Sequence, residues 1–174
     1  VLQNLLKPEE LEEIYQTYIN RPQWNFRGKK SKQSHERNVV VLGLMIFQGV
    51  HTGELKLIEK THVNLNKGSI YISGSGRSNG RILKLNVQQI LPLQNYLNKP
   101  EKEKEKLFDC KMSSVMMWLI TTLKKMDQRV RDANQLRSSV IVNWLKQHNI
   151  RQVQYMTGHR HISSTERYKQ EDLE

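Results

Sequence analysis

The stretch YMTGHRHISSTERY, residues 155–168, sets His159 just past a glycine and Tyr168 nine residues further on. A phenol with an ordinary pKa of about 10 is a poor nucleophile at neutral pH, so a tyrosine that forms a covalent bond needs its proton taken or diverted. Imidazole is the side chain that accepts a proton, or donates a hydrogen bond, near neutral pH. Taken singly, a His and a Tyr carry almost no information. A buried tyrosine ring with its hydroxyl at the edge is the ordinary alternative. His159 and His161, with His148, are also conceivable metal ligands, but no Cys or carboxylate stands at a matching spacing, so no metal is expected.

Three further stretches have side chains suited to an anion. NQLR, residues 134–137, contains Arg137, whose planar fork can hold two phosphate oxygens at once, and Asn134, which can hydrogen-bond phosphate but cannot shuttle protons near neutral pH. QGVHTGEL, residues 48–55, contains His51, which can do both. GSGRSNGR, residues 74–81, places Ser75, Arg77 and Arg81 in a glycine-rich turn. An isolated arginine is usually a surface cation, but Arg137 stands between Leu136 and an apolar run.

The elements that must hold these residues are mostly helical. KPEELEEIYQTYIN has Pro8 where a first turn tolerates it, acids near the positive helix end, and apolar residues at helical spacing. Residues 21–37 lack a period and are expected to form a basic connecting loop that includes Trp24 and Phe26. NVVVLGLMIFQGV is apolar on nearly every face and is expected to be the central buried helix, stopped at Gly49, with Thr52 capping a short helix after it. SIYISGSGRSNGRILKLN switches to alternation, with Ile70 and Ile72, then Ile82 and with it Leu83 to Leu85, and predicts a β-hairpin with a long basic turn. VQQILPLQNYLNK, SSVMMWLITTLKKM, NQLRSSVIVNWLKQHN and IRQVQYMTG follow as helices, the last stopped by Gly158. PEKEKEKLF is expected to be a charged linker, and Met112, Met116, Met117 and Trp118 a core stripe. Ser163 with Glu166 predicts a capping box opening a last helix that carries Tyr168. The fold class is therefore mainly α with a small β-hairpin or sheet, an α+β domain.

The chain has 174 residues, long enough for one substantial core, since domains commonly run to about 100–150 residues. Twenty-eight Lys and Arg against 17 Asp and Glu give a net charge of +11, which attracts polyanions, nucleic acid first among them. A basic but merely solvated surface is the alternative reading. No apolar span has membrane length, so no membrane partner is expected. The single cysteine, Cys110, and the lack of an export leader fit a reducing cytoplasm. The start at Val1 suggests a fragment with a further domain upstream.

The order of elements and these motifs together resemble the catalytic domain of the tyrosine recombinases, the phage-integrase and Xer-like enzymes, over nearly the whole chain. The family has a Gly-hydrophobic-Arg turn with an acid three residues later; here Glu54 fits and His51 stands at the arginine position. Its hairpin carries Gly-Lys-Gly and a following basic residue; here Ser75 stands at the lysine, with Arg77 and Arg81 nearby. Its His-x-x-Arg is matched by Arg137, with Asn134 at the histidine, and its Gly-His with a tyrosine nine residues on is matched by Gly158, His159 and Tyr168. The resemblance implies a single catalytic domain over residues 1–174, the C-terminal part of a longer protein that lacks here its upstream DNA-binding domain. It implies a site-specific recombinase or integrase of a mobile element, with Tyr168, Arg137, His159, His51 and Asn134 at the catalytic centre and Arg77, Arg81 and Ser75 on the DNA. Double-stranded DNA and further recombinase subunits assembling on it are the implied partners, with no cofactor and a prokaryotic, nucleoid-associated setting. The alternative is a degenerate recombinase-like domain that binds DNA without cutting it.

Overall fold

The computed structural model describes residues 2–22, 28–99 and 104–169. Helix α1, Pro8–Ile19, begins with Pro8 and has Glu9 and Glu10 in its first turn; Glu10 accepts a hydrogen bond from the Lys7 backbone N–H at 3.0 Å. Its buried stripe, Leu11, Ile14, Tyr15 and Tyr18, lies against α2, Gly28–Gln48, where residues 39–42 and 44–46 are all buried. A helix enclosed on every side has no polar face left, and so its apolar run is nearly unbroken.

The loop expected over residues 21–37 is corrected from Gly28 onward, because α2 starts there; Trp24 and Phe26 lie outside the described residues. The segment KKSKQSHER has no apolar period, yet Lys, Gln, Glu and Arg are good helix formers, and tertiary contacts supply what periodicity lacks. His35 stacks on Tyr18 with ring centroids 5.0 Å apart, and Glu36 pairs with Lys99.

After α2 the chain turns at Gly49, in the left-handed region at φ 60°, where a side chain would crowd the Trp144 ring. The short helix α3, Thr52–Leu55, is capped by His51 rather than by Thr52. A three-stranded antiparallel sheet follows, β1 (Val63–Asn64), β2 (Ser69–Ile72) and β3 (Arg81–Lys84), in that spatial order. The hairpin was legible in sequence; β1, two residues long, is too short to alternate. The phase of β3 differs from the expectation. Ile72 pairs with Arg81 and Ile70 with Leu83, so Arg81 and Leu83 face inward while Ile82 is 59% exposed. A strand has a side-chain period of two, so the register alone decides which alternate set is buried.

Helix α4, Val87–Leu97, is capped by Asn86, which accepts the Gln88 N–H at 2.9 Å. Of the stretch read as a linker, residues 100–103 lie outside the described residues, whereas Leu107 and Phe108 are core. Helix α5, Met112–Met126, buries Met112 and Met116, but Met117 and Trp118 are 59% and 66% exposed, so the expected four-residue core stripe is half that. Adjacent helical residues point about 100° apart, and four in near succession cannot share one face. Helix α6, Ala133–Gln147, is capped by Asp132; α7, Ile150–Thr157, runs from Asn149 to Gly158. Helix α8, Ile162–Lys169, starts one residue ahead of Ser163, which is therefore inside the helix and not its cap. Among the described residues no helix is long and apolar enough to cross a membrane.

Candidate active site

One buried ion pair organises the region where the motifs meet. Glu54 of α3 and Arg81 of β3 have fully buried side chains. Arg81 donates from Nη2 to Glu54 Oε1 at 2.9 Å and from Nη1 to Oε2, and Ser78 Oγ donates to the same Oε2 at 2.9 Å. Burial alone would raise the Glu54 pKa, but the hydrogen bonds and charge of Arg81, with help from His51 and Ser78, outweigh it and hold the carboxyl below its usual value. The guanidinium also reaches two other segments, through Nε to the Met156 carbonyl at 2.8 Å and Nη1 to the Asn79 carbonyl at 3.3 Å. Arg81, expected as a DNA contact, is placed here as an internal strut, 1% exposed and with its donors taken up inside the domain.

The strut fixes the turn that carries His159. Gly158 caps α7 at φ 74°, and a Cβ there would stand 2.5 Å from Arg81 Nη1, so only glycine fits both the left-handed backbone and the close approach. Asn79 N–H donates to the Gly158 carbonyl at 2.8 Å, and Ser78 and His159 form an isolated antiparallel bridge. The hairpin turn and the His159 turn are thus one unit.

Four of the expected residues converge here. Arg137 on α6 donates from Nε to the Gly49 carbonyl at 3.1 Å and from Nη2 to the Thr157 carbonyl at 3.3 Å, so it bridges the backbones two residues before His51 and two before His159. Burial pushes its pKa down, with Tyr168 and Glu54 opposing, but an arginine remains charged at neutral pH. The rings of His159 and Tyr168 lie nearly parallel, 16° apart in plane and 6.0 Å between centroids. His159 Nδ1 shares a hydrogen bond of 2.8 Å with the buried Thr165 hydroxyl, which leaves Nε2 for another partner. His51 Nε2 lies 3.5 Å from Glu54 Oε1.

Asn134 is exposed one helical turn before Arg137, on the same face, and its side chain makes no hydrogen bond among the described residues. Arg77 is exposed on the hairpin turn. Ser75 is half-buried there, its Oγ 3.0 Å from Ser78 Oγ. Thr165, Ser78 and Arg160 belong to the same neighbourhood and went unnoticed in the sequence; no local signal marks a threonine six residues past a histidine as its partner.

The site disfavours the charged form of both histidines. Burial pushes His159 down to about 4, and the charges of Arg137, Arg81 and Arg167 act in the same direction against Glu54. Burial also lowers His51, with Glu54 opposing and Arg137 and Arg81 reinforcing. A base whose folded pKa lies below its unfolded value of about 6.5 adds stability that is complete above that value and is lost as pH falls toward the folded one. Melting temperature should therefore decline from pH 6.5 to 4, and His159→Gln should decline less over that window. Parallel pH profiles of the two proteins would refute the neutral His159.

The sequence model of the phage integrase family matches residues 4–174. No curated protein sequence matches the chain. Among solved structures, the chain is similar to XerH site-specific recombinase bound to palindromic difH substrate, with 22% identity, a TM-score of 0.75, and coverage of 99% of this chain and 51% of that one. The XerA recombinase structure gives 20% identity, a TM-score of 0.70, and coverage of 90% and 58%. The integrase from mycobacterium phage Brujita gives 18%, 0.60, and coverage of 90% and 49%. The chain thus spans about half to three-fifths of the length of these structures.

Proposed function

The chain belongs to the phage integrase family, the tyrosine recombinases, and has the fold of their catalytic domain; from that premise we propose that it breaks and rejoins DNA through a 3′-phosphotyrosyl intermediate. The observation that carries this is the placement of the Tyr168 ring against the His159 ring, beside an Arg137 tethered to the Gly49 and Thr157 carbonyls.

In this reading the Tyr168 hydroxyl attacks a scissile phosphate, and a 5′-hydroxyl departs that later attacks in reverse from another strand. His159, neutral at the outset, takes the phenol proton through Nε2 while Thr165 holds Nδ1. Arg137, tethered by Nε and Nη2 to backbone carbonyls, turns its remaining donors to the non-bridging oxygens, where charge grows in the transition state. His51, at the mouth of α3, donates to the same phosphate, and Asn134 adds a neutral hydrogen bond. A bound phosphate raises the pKa of both histidines by opposing the arginine charges.

The net charge of +11 supports duplex DNA as substrate. Binding should weaken steeply with salt, because each neutralised phosphate releases counterions. Filter binding from low to moderate salt tests this, and a flat response would remove DNA from the proposal. Covalent capture of the full-length protein on nicked duplexes tests the chemistry. A second reading, DNA binding without cleavage, is favoured by one observation. His51 stands where a permanent cation would share the phosphate, and burial lowers its pKa with Glu54 opposing, which disfavours its charged form. If the wild type forms no adduct, and His51→Arg, Ser75→Lys and Asn134→His together create one, the second reading holds.

A further inference from the structure

The hairpin turn presents no cation of its own to the site at Ser75. The Ser75 hydroxyl is taken up within the turn, accepting the Arg77 N–H at 3.2 Å and sharing a bond with Ser78. Arg77 is exposed, and its side chain makes no hydrogen bond among the described residues. A different arginine reaches that point. Arg160, the residue after His159, is exposed and donates from Nη2 to the Ser75 carbonyl at 3.3 Å, across 85 positions of sequence. Its backbone is anchored as well, its carbonyl accepting from Gln154 Nε2 at 3.4 Å. The cations that depress His159 are Arg137, Arg81 and Arg167, which fits an Arg160 head group turned away from the imidazole toward the hairpin.

Resting on the phosphotyrosyl reading, we propose that Arg160 is a catalytic residue of that reaction, hydrogen-bonding the departing 5′-oxygen of the scissile phosphate. In-line displacement puts the attacking and leaving oxygens on opposite sides of phosphorus, so the groups that serve Tyr168 cannot also serve the leaving group. Arg160 starts from the His159 turn and extends to the hairpin, which gives it the reach to the other side. Its tether to Ser75 is a long bond to a neutral carbonyl, and an oxyanion is the stronger partner for a guanidinium, by about twofold in bond strength. The phenol oxygen bonds to phosphorus as the bond to the 5′-oxygen breaks. The phenol proton passes to His159 and from there to water. Arginine keeps its own protons, so the 5′-oxyanion, steadied by the guanidinium, takes a proton from water. The exchange is balanced, with no other reactant.

The test uses the full-length protein and nicked duplexes tiled across the DNA that flanks its own gene, then the reactive duplex remade with sulfur at the bridging 5′ position. A thiolate, from a thiol of pKa about 8.5, leaves without such help. Arg160→Ala should slow adduct formation about 100-fold on the oxygen substrate, the effect of losing one transition-state donor. The sulfur substrate should restore most of that rate, and Arg160→Lys should recover part of it on oxygen. Arg77→Ala should not respond to sulfur. Undiminished cleavage by Arg160→Ala, or equal slowing on oxygen and sulfur, would overturn this role while leaving the recombinase reading intact. A wild-type protein that forms no adduct on any duplex would overturn both.

Discussion

On a nicked duplex that traps the cleaved strand, Tyr168→Phe is expected to abolish the covalent adduct while leaving duplex binding nearly unchanged. The variant keeps the ring that lies 6.0 Å from His159 and loses only the hydroxyl, so the fold and the neutral imidazole survive. Arg137→Ala should lower the adduct rate by about 10³-fold, in the range for removal of a preorganised donor aimed at developing charge. Arg137 also ties the Gly49 and Thr157 carbonyls, so part of this loss comes from loosening the turns that carry His51 and His159. Combining the two substitutions should cost little beyond Tyr168→Phe alone, because groups acting on one transition state are strongly non-additive. An adduct that persists in Tyr168→Phe would assign the nucleophile to another residue.

The second large effect is on stability. Arg81→Met strands the Glu54 carboxylate in a fully buried position with only Ser78, the His51 backbone and the His51 ring to meet it. Removing one partner of a buried pair costs about 3–5 kcal/mol. In a domain of this size each kcal/mol moves the melting temperature by about 2–4 °C, so a fall of roughly 6–20 °C is expected. Glu54→Leu with Arg81→Met should recover a substantial part, since no unpaired charge is then buried, although the Met156 and Asn79 carbonyls lose their donor. Adduct formation should not recover with it. Arg81 joins α3, the hairpin and the end of α7, and without it the His159 turn and the hairpin lose their common anchor. A double variant that melts like the wild type and also cleaves like it would reduce the pair to a dispensable ornament of the core.

The sequence alone carried the helices whose signals are local. Pro8 with Glu9 and Glu10 at the start of α1 and Gly158 at the end of α7 mark ends through the chemistry of unsatisfied backbone groups, and the structure puts those ends where the residues say. The spacing of His159, Tyr168 and Arg137 was likewise legible, as a pattern of residue types. Four things could not be read that way. The first half of α2 has no apolar period of its own, and its His35 and Glu36 meet Tyr18 and Lys99 from other helices or their ends. The roles of Arg81 and Ile82 depend on a strand register of one residue, which turned an expected DNA contact into a buried strut and an expected core residue outward. The protonation of His159 depends on burial and on three arginines brought from β3, α6 and α8, and the Ser75–Arg160 bond on two turns 85 positions apart. Local patterns record what a segment satisfies within itself, in capping groups and apolar stripes. Charge, register and reach are set by partners that the chain meets only once it has folded.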